Sequence, residues 1–195
     1  MELLAVVGLL SAVLAATVPA VRGMAEGSGR VAAIDRLMGL LDRTRCEAIA
    51  KGRPAYLVVA PAQENQVNGD DRDGRQSVSI FLAAEDPAQP PVRLTPWSRM
   101  PTGVSIDGNP DLPSLLTAPE ETTPPVFAAP GGEGAPAPLP YFGFGPTGAL
   151  LHPSDSRRAR VYLATQGQGE AANATDGERI EVSTFTGIAR YRHGE

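Results

Sequence analysis

The stretch VAAIDRLMGLLDRTRCEAIAKGRPAYLVVA, residues 31–60, decides the fold. Val31, Ile34, Leu37, Met38, Leu41, Ala48 and Ile49 recur at the spacing of one helical face, while Asp35, Arg36, Asp42, Arg43, Glu47 and Lys51 fall on other faces. Glu47 precedes Lys51 by one helical turn in the favourable order. Gly52 and Pro54 then supply a stop signal, and the apolar run from Ala55 to Ala60 reads as a strand. An amphipathic helix therefore runs straight into a sheet.

Upstream the pattern changes. From Leu3 to Val21 no residue is charged, which as a helix spans ~28 Å, close to the hydrocarbon thickness of a bilayer. The favoured reading is a membrane-inserted helix ending at Arg22. A secretory signal peptide is weaker because no basic residue precedes Arg22, and a buried core helix rarely runs so long without a polar face. Residues 2–51 then form one helix of ~75 Å, with Pro19 inviting a kink and Gly23, Gly27 and Gly29 weakening the middle. Glu2 is the anomaly, since an ionisable group at the membrane boundary is costly and calls for a partner.

Downstream, SVSIFLAA (Ser77 to Ala84), VRLTPW, GVSID, YFGFGPTGAL, RARVYLAT and RIEVSTFTGIARYR read as strands and turns, with a hairpin-like polar connection over 63–76. Ile180 and Val182 alternate with Glu181 and Ser183, as on a half-buried antiparallel strand. Residues 107–140 hold nine of the nineteen prolines and no basic residue, and read as a long irregular loop on which no element is expected. The fold class is α+β, a long N-terminal helix on a mostly antiparallel β-sheet. Three parts follow: 1–22 for the membrane, 23–53 for the amphipathic half of the helix, and 54–195 for the sheet domain.

The net charge of −5 argues against a nucleic-acid protein built on overall basicity, though a local basic patch is compatible with it. Cys46, the single cysteine, excludes an internal disulfide and a cysteine zinc site, and is expected to be a small buried hydrophobe. Several motifs carry little weight. Gly143, Gly145 and Gly148 have dinucleotide-binding spacing, but Pro146 interrupts them and no helical pattern follows, so a turn is expected. His152, Ser154 and Asp155 are neighbours only in sequence, beside Pro153, and read as a loop. Asp70, Asp71 and Asp73 lack the distal acid of a calcium loop, its place being taken by Phe81. Asn173 heads a glycosylation sequon, Asn-Ala-Thr. No cofactor, metal or catalytic constellation is expected.

These features together resemble the type IV pilin superfamily, and within it the GspH/FimT-like minor pseudopilins of type II secretion and type IV pilus systems. MELLAVVGLLSAVLAATVP fits the superfamily's N-terminal pattern from the residue before its glutamate onward: Glu2 falls on that glutamate and Pro19 on its helix-interrupting proline, at the family's offset. LLDRTRCEAIAKGRPAYLVV is similar to the subfamily's helix end and first strand, RMPTGVSI to its turn and strand, YFGFGPTGAL to its strand and glycine turn, and RIEVSTFTGIARYR to its final strand pair. The Pro-rich loop stands outside the likeness, and GIARYR departs from the family's Gly-Arg-x-Arg ending. The family's leader and methylated phenylalanine are not in the sequence as written; Met1 is read as an internal methionine, and a stop codon just upstream of it would exclude that reading.

The resemblance implies a single-pass protein of the bacterial inner membrane with a periplasmic sheet domain. It implies a structural role without catalysis, helping to initiate or cap a periplasmic filament for protein secretion or pilus assembly. The implied partners are other pilins or pseudopilins met through the N-terminal helix, the inner-membrane assembly platform, membrane lipid and, for a full-length precursor, prepilin peptidase. Glu2 and Pro19 become filament-assembly residues. The alternative implied by FimT-type relatives is DNA binding through Arg157, Arg158, Arg160, Arg190 and Arg192, against which the acidic balance of the chain weighs.

Overall fold

The structure, a computed structural model, describes residues 29–60, 77–86, 88–101, 104–106, 114–115, 125–128, 137–165 and 178–192. The α-helix, α1, covers residues 29–51. Glu2, Pro19, the apolar run, the acidic tip at Asp70 to Asp73 and the sequon at Asn173 lie outside the described residues. Among the described residues no helix is long and apolar enough to cross a membrane.

The face of α1 that enters the core is Ala33, Leu37, Leu41, Thr44 and Ala48, all buried, with Ile34, Met38 and Leu40 packed along its margin. This stripe is rotated from the one read in the sequence: Val31 and Ile49 are largely exposed, at 59% and 45%. Cys46, expected inside, is exposed, because it falls on the outer face next to Arg45 and Glu47. Thr44 is tolerated in the core because its hydroxyl donates to the Leu40 carbonyl at 2.6 Å, so no polar atom is left without a partner. Gly52, at φ 62°, ends the helix in the left-handed conformation that glycine adopts without strain.

Every strand pairing among the described residues is antiparallel. The larger sheet is formed by β1 (Ala55–Ala60), β2 (Ser77–Leu82), β3 (Val92–Arg93), β4 (Ser98–Arg99), β8 (Tyr141–Phe144) and β9 (Leu150–His152), in the order β3-β2-β1-β8-β9 with β4 also on β2. The smaller is formed by β5 (Val104–Ile106), β10 (Arg160–Thr165), β11 (Glu178–Val182) and β12 (Ala189–Arg192), in the order β12-β11-β10-β5. The two-residue strands β6 (Val126–Phe127) and β7 (Ala137–Pro138) pair with each other.

One hydrophobic core joins α1 to both large sheets. Leu57, Val59, Val78, Ile80, Leu82, Phe142 and Phe144 come from the first sheet, and Val104, Ile106, Val161, Leu163, Ile180 and Val182 from the second. Alternate residues of the first sheet, Val58, Phe81 and Tyr141, build a second cluster on its far face together with Phe127 of β6, and Tyr56, Trp97 and Leu139 pack against it. Tyr56 meets Phe127 and Tyr141 edge-on at 5.7 and 5.4 Å, and Phe81 meets Phe127 and Trp97 at 5.1 and 5.7 Å. Gly143, opposite Tyr56, makes room for those rings, since a Cβ there would lie 3.3 Å from Tyr141 Cε2.

With both faces covered, β1 reads as a near-continuous apolar run, as buried strands do, and β2 does so from Ile80 on, its buried Ser79 being satisfied by the Thr95 carbonyl. Phe127 corrects the expectation that 107–140 carries no element. Its ring is fully buried against the first sheet, and Leu115 and Ser114 are buried too. Removing one such ring from water is worth about 1.5–3 kcal/mol, enough to hold a short strand pair in place.

VRLTPW is not one strand. Between β3 and β4 the regular ladder to β2 is interrupted: the Leu94 amide still donates to the Ile80 carbonyl at 2.8 Å, but the Ile80 amide donates to Thr95 Oγ1 at 2.9 Å and the Ser79 hydroxyl to the Thr95 backbone carbonyl at 2.7 Å.

Candidate functional site

The second sheet has two unlike faces. The loop joining β11 to β12 is tight: the Ser183 amide donates to the Ile188 carbonyl at 3.0 Å, the Gly187 amide donates back to the Ser183 carbonyl at 2.8 Å, and Gly187 has φ 65°. This return fixes the register Glu181↔Arg190 and Arg179↔Arg192, while β10 sets Arg160↔Glu181 and Tyr162↔Arg179. Directly opposed residues in a sheet share a face. Arg160, Glu181 and Arg190 therefore form one cross-strand row, and Tyr162, Arg179 and Arg192 the next. The other face presents Val161, Leu163, Ile180 and Val182 to the core.

Glu181 is the centre of the polar face. Its Oε1 lies 3.0 Å from Arg179 Nε, a hydrogen bond, and 3.3 Å from Arg160 Nε, while Oε2 lies 3.8 Å from Arg192 Nε. The side chains are 27% exposed for Glu181, 31% for Arg160, 36% for Arg179 and 57% for Arg192. Arg190 stands directly across from Glu181 on β12. Four guanidinium groups thus share a face with one carboxylate. Ion pairs this exposed contribute about 0–1 kcal/mol each, and crowding like charges around one acid offsets part of that gain. Fold stability alone is a poor account of the arrangement.

Of the basic residues singled out in the sequence, Arg160, Arg190 and Arg192 are brought together here. Arg157 and Arg158 belong to the turn before β10. The Asp155 carboxylate accepts from the Arg157 amide at 2.9 Å and lies 3.9 Å from Arg158 Nε, so its charge is spent within that turn. Arg179 and Glu181 were not singled out. Their signal was the strand alternation Arg179, Ile180, Glu181, Val182, together with Arg190 and Arg192 two residues apart across a tight turn; what the sequence could not supply was the register that puts them in the same rows.

The remaining motifs have structural roles. Gly145 and Gly148 close the turn between β8 and β9, the Gly145 amide donating to the Ala149 carbonyl and the Gly148 amide to the Gly145 carbonyl, both at 2.8 Å. His152 stacks on Tyr141 with ring centroids 4.3 Å apart. Ser154 is exposed on the loop beyond it. Among the described residues no group of three or more His, Cys, Asp or Glu side chains is placed to hold a metal ion. Compared with protein-family models, curated proteins and solved structures, the chain matches none.

Proposed function

We propose that this protein is a structural subunit of pilin type, anchored by its N-terminal apolar run and drawn through that run into a periplasmic filament for secretion or pilus assembly. The observation that carries the reading is the joint between α1 and the sheets. From Ala33 to Ala48 the helix is bound into the core of both sheets, and in the sequence an apolar run, Leu3 to Val21, preceded by Glu2 and containing Pro19, lies upstream of it. A helix held at its C-terminal half by a sheet domain transmits force between that domain and whatever its N-terminal half enters. In a helical filament core, apolar faces bury one another, and a carboxylate such as Glu2 sets register by matching a positive group of the next subunit.

The test is Glu2→Ala in the full chain, expressed in a bacterium that carries the assembly machinery. Membrane fractionation is expected to be unchanged, and cross-linking to the major subunit through the exposed Cys46 to be lost. Cross-linking at the level of the parent chain would overturn the proposal.

A second reading, DNA held by arginines near the C-terminus, draws on Arg160, Arg190 and Arg192 sharing a face. Glu181 in their midst weighs against it.

A further inference from the structure

The polar face of the second sheet carries an inference that does not rest on the filament reading. We infer that the face bearing Arg160, Arg179, Arg190 and Arg192 is a docking surface for a carboxylate-rich, extended segment of a partner protein, with Glu181 as the internal acid that holds the guanidinium groups in place until the partner's acids share or replace it.

The geometry supports a carboxylate as the recognised group because one already occupies the site. Glu181 receives Arg179 through a hydrogen bond and lies within ion-pair distance of Arg160 and Arg192. A guanidinium fork is suited to carboxylate oxygens, and several of its donors stay available after one Nε contact. The excess of three positive charges follows directly: four arginines against one glutamate on this face. Tyr162, opposite Arg179 in the same pair of rows, is 5% exposed. Arginine is among the residue types that dominate binding energy at protein interfaces.

Spacing favours an extended peptide. Arg190 and Arg192 stand two residues apart on β12, about 6.6–6.8 Å along the strand, and neighbouring strands lie about 4.8 Å apart. Acids at alternate positions of an extended chain have the same repeat, so one such segment can address both rows.

Nucleic acid fits less well. The ring on this face is buried and offers no stacking platform, and Arg158 is engaged by Asp155 in a separate turn. A second copy pairing β12 to β12 would set arginine against arginine, which disfavours that contact.

The experiment uses the full chain in detergent micelles and a fluorescent peptide of alternating glutamate and valine, read by anisotropy. The same peptide with lysine in place of glutamate, and a short mixed-sequence DNA duplex, serve as comparison probes. The glutamate peptide is expected to bind in a salt-sensitive manner and the lysine peptide not to bind. Joint substitution Arg190→Gln and Arg192→Gln, on an exposed strand where folding is little affected, is expected to weaken binding about tenfold or more.

Glu181→Gln is expected to tighten binding about threefold or more, because it removes the internal competitor while keeping the shape. A structural role alone would not move affinity in that direction. The inference is overturned if the glutamate peptide does not bind, if either variant leaves its affinity unchanged, or if the DNA duplex binds more tightly than the peptide at equal salt.

Discussion

Gly187 is pressed against Gly148: a Cβ placed on Gly187 would overlap the Gly148 carbonyl oxygen and come within 3.1 Å of Phe144 Cδ1 and Arg45 Cδ. Gly148 in turn leaves no room for a side chain beneath Ile49, whose Cδ1 would lie 2.8 Å away. Arg45 closes the joint by donating from Nε to the Thr186 carbonyl at 2.8 Å. The end of α1, the β8–β9 turn and the β11–β12 turn thus meet where two glycines, both at positive φ, permit the approach.

Gly187→Ala should therefore destabilise the protein by at least about 2 kcal/mol, combining left-handed backbone strain of about 1–2 kcal/mol with overpacking of about 1–3 kcal/mol. Gly39→Ala is the counterpart. Gly39 is exposed in α1 with nothing within 4 Å of its added Cβ, so the change should stabilise by about 0.5–1 kcal/mol. Urea unfolding of both variants checks the pair; equal midpoints would show that the glycine joint is not what fixes the turns.

Phe127→Ala should cost about 3–5 kcal/mol, since a fully buried ring in contact with Tyr56, Phe81 and Tyr141 is lost. Trp97, the single tryptophan, touches Phe81 and reports on the same cluster. Its emission should shift to longer wavelength in the variant. Unchanged emission and unfolding midpoint would mean that the β6–β7 pair does not seal the outer face of the sheet.

Thr95→Val should cost about 1–3 kcal/mol, because the Ile80 amide, on a fully buried residue, loses the hydroxyl that accepts from it. Thr95→Ser keeps the oxygen and should stay within about 1 kcal/mol of the parent. Thermal unfolding of the two variants separates the hydroxyl from the methyl group.

Thr44→Val should behave differently although Thr44 is fully buried and Thr95 only half-buried. Its hydroxyl donates to a carbonyl that already belongs to the helix ladder, so valine strands no donor and fills the same shape. The expected change is below about 1 kcal/mol in either direction. A loss as large as that of Thr95→Val would contradict this account of the core stripe.

Much of the architecture was legible along the chain. The apolar period of α1, the stop at Gly52 and Pro54, and the apolar runs of β1 and β2 are local signals, because a helix or a strand buried on both faces leaves its mark on consecutive residues. The rotation of the helix stripe was not legible: Val31 and Ile49 fit a helical face by spacing and Cys46 is of a type commonly buried, yet which face turns inward depends on where the sheets lie. Phe127 was hidden for a related reason. A lone aromatic among prolines and glycines has no period, and its value depends on the ring cluster waiting on the far side of β1 and β2.

The polar face shows the same division more sharply. By itself the sequence determined that an acidic chain ends in an arginine-rich strand pair around Thr-Gly, and that a helix precedes a largely antiparallel sheet. Only the tertiary structure decided that Glu181 stands among Arg160, Arg179, Arg190 and Arg192, while Arg157 and Arg158 sit in the turn before β10, where Asp155 takes the Arg157 backbone amide and lies 3.9 Å from Arg158 Nε. The reason is register: side chains in a strand alternate with period two, so a one-residue slip between β10, β11 and β12 would send the charges into the core, and burial of Val161, Ile180 and Val182 forbids it.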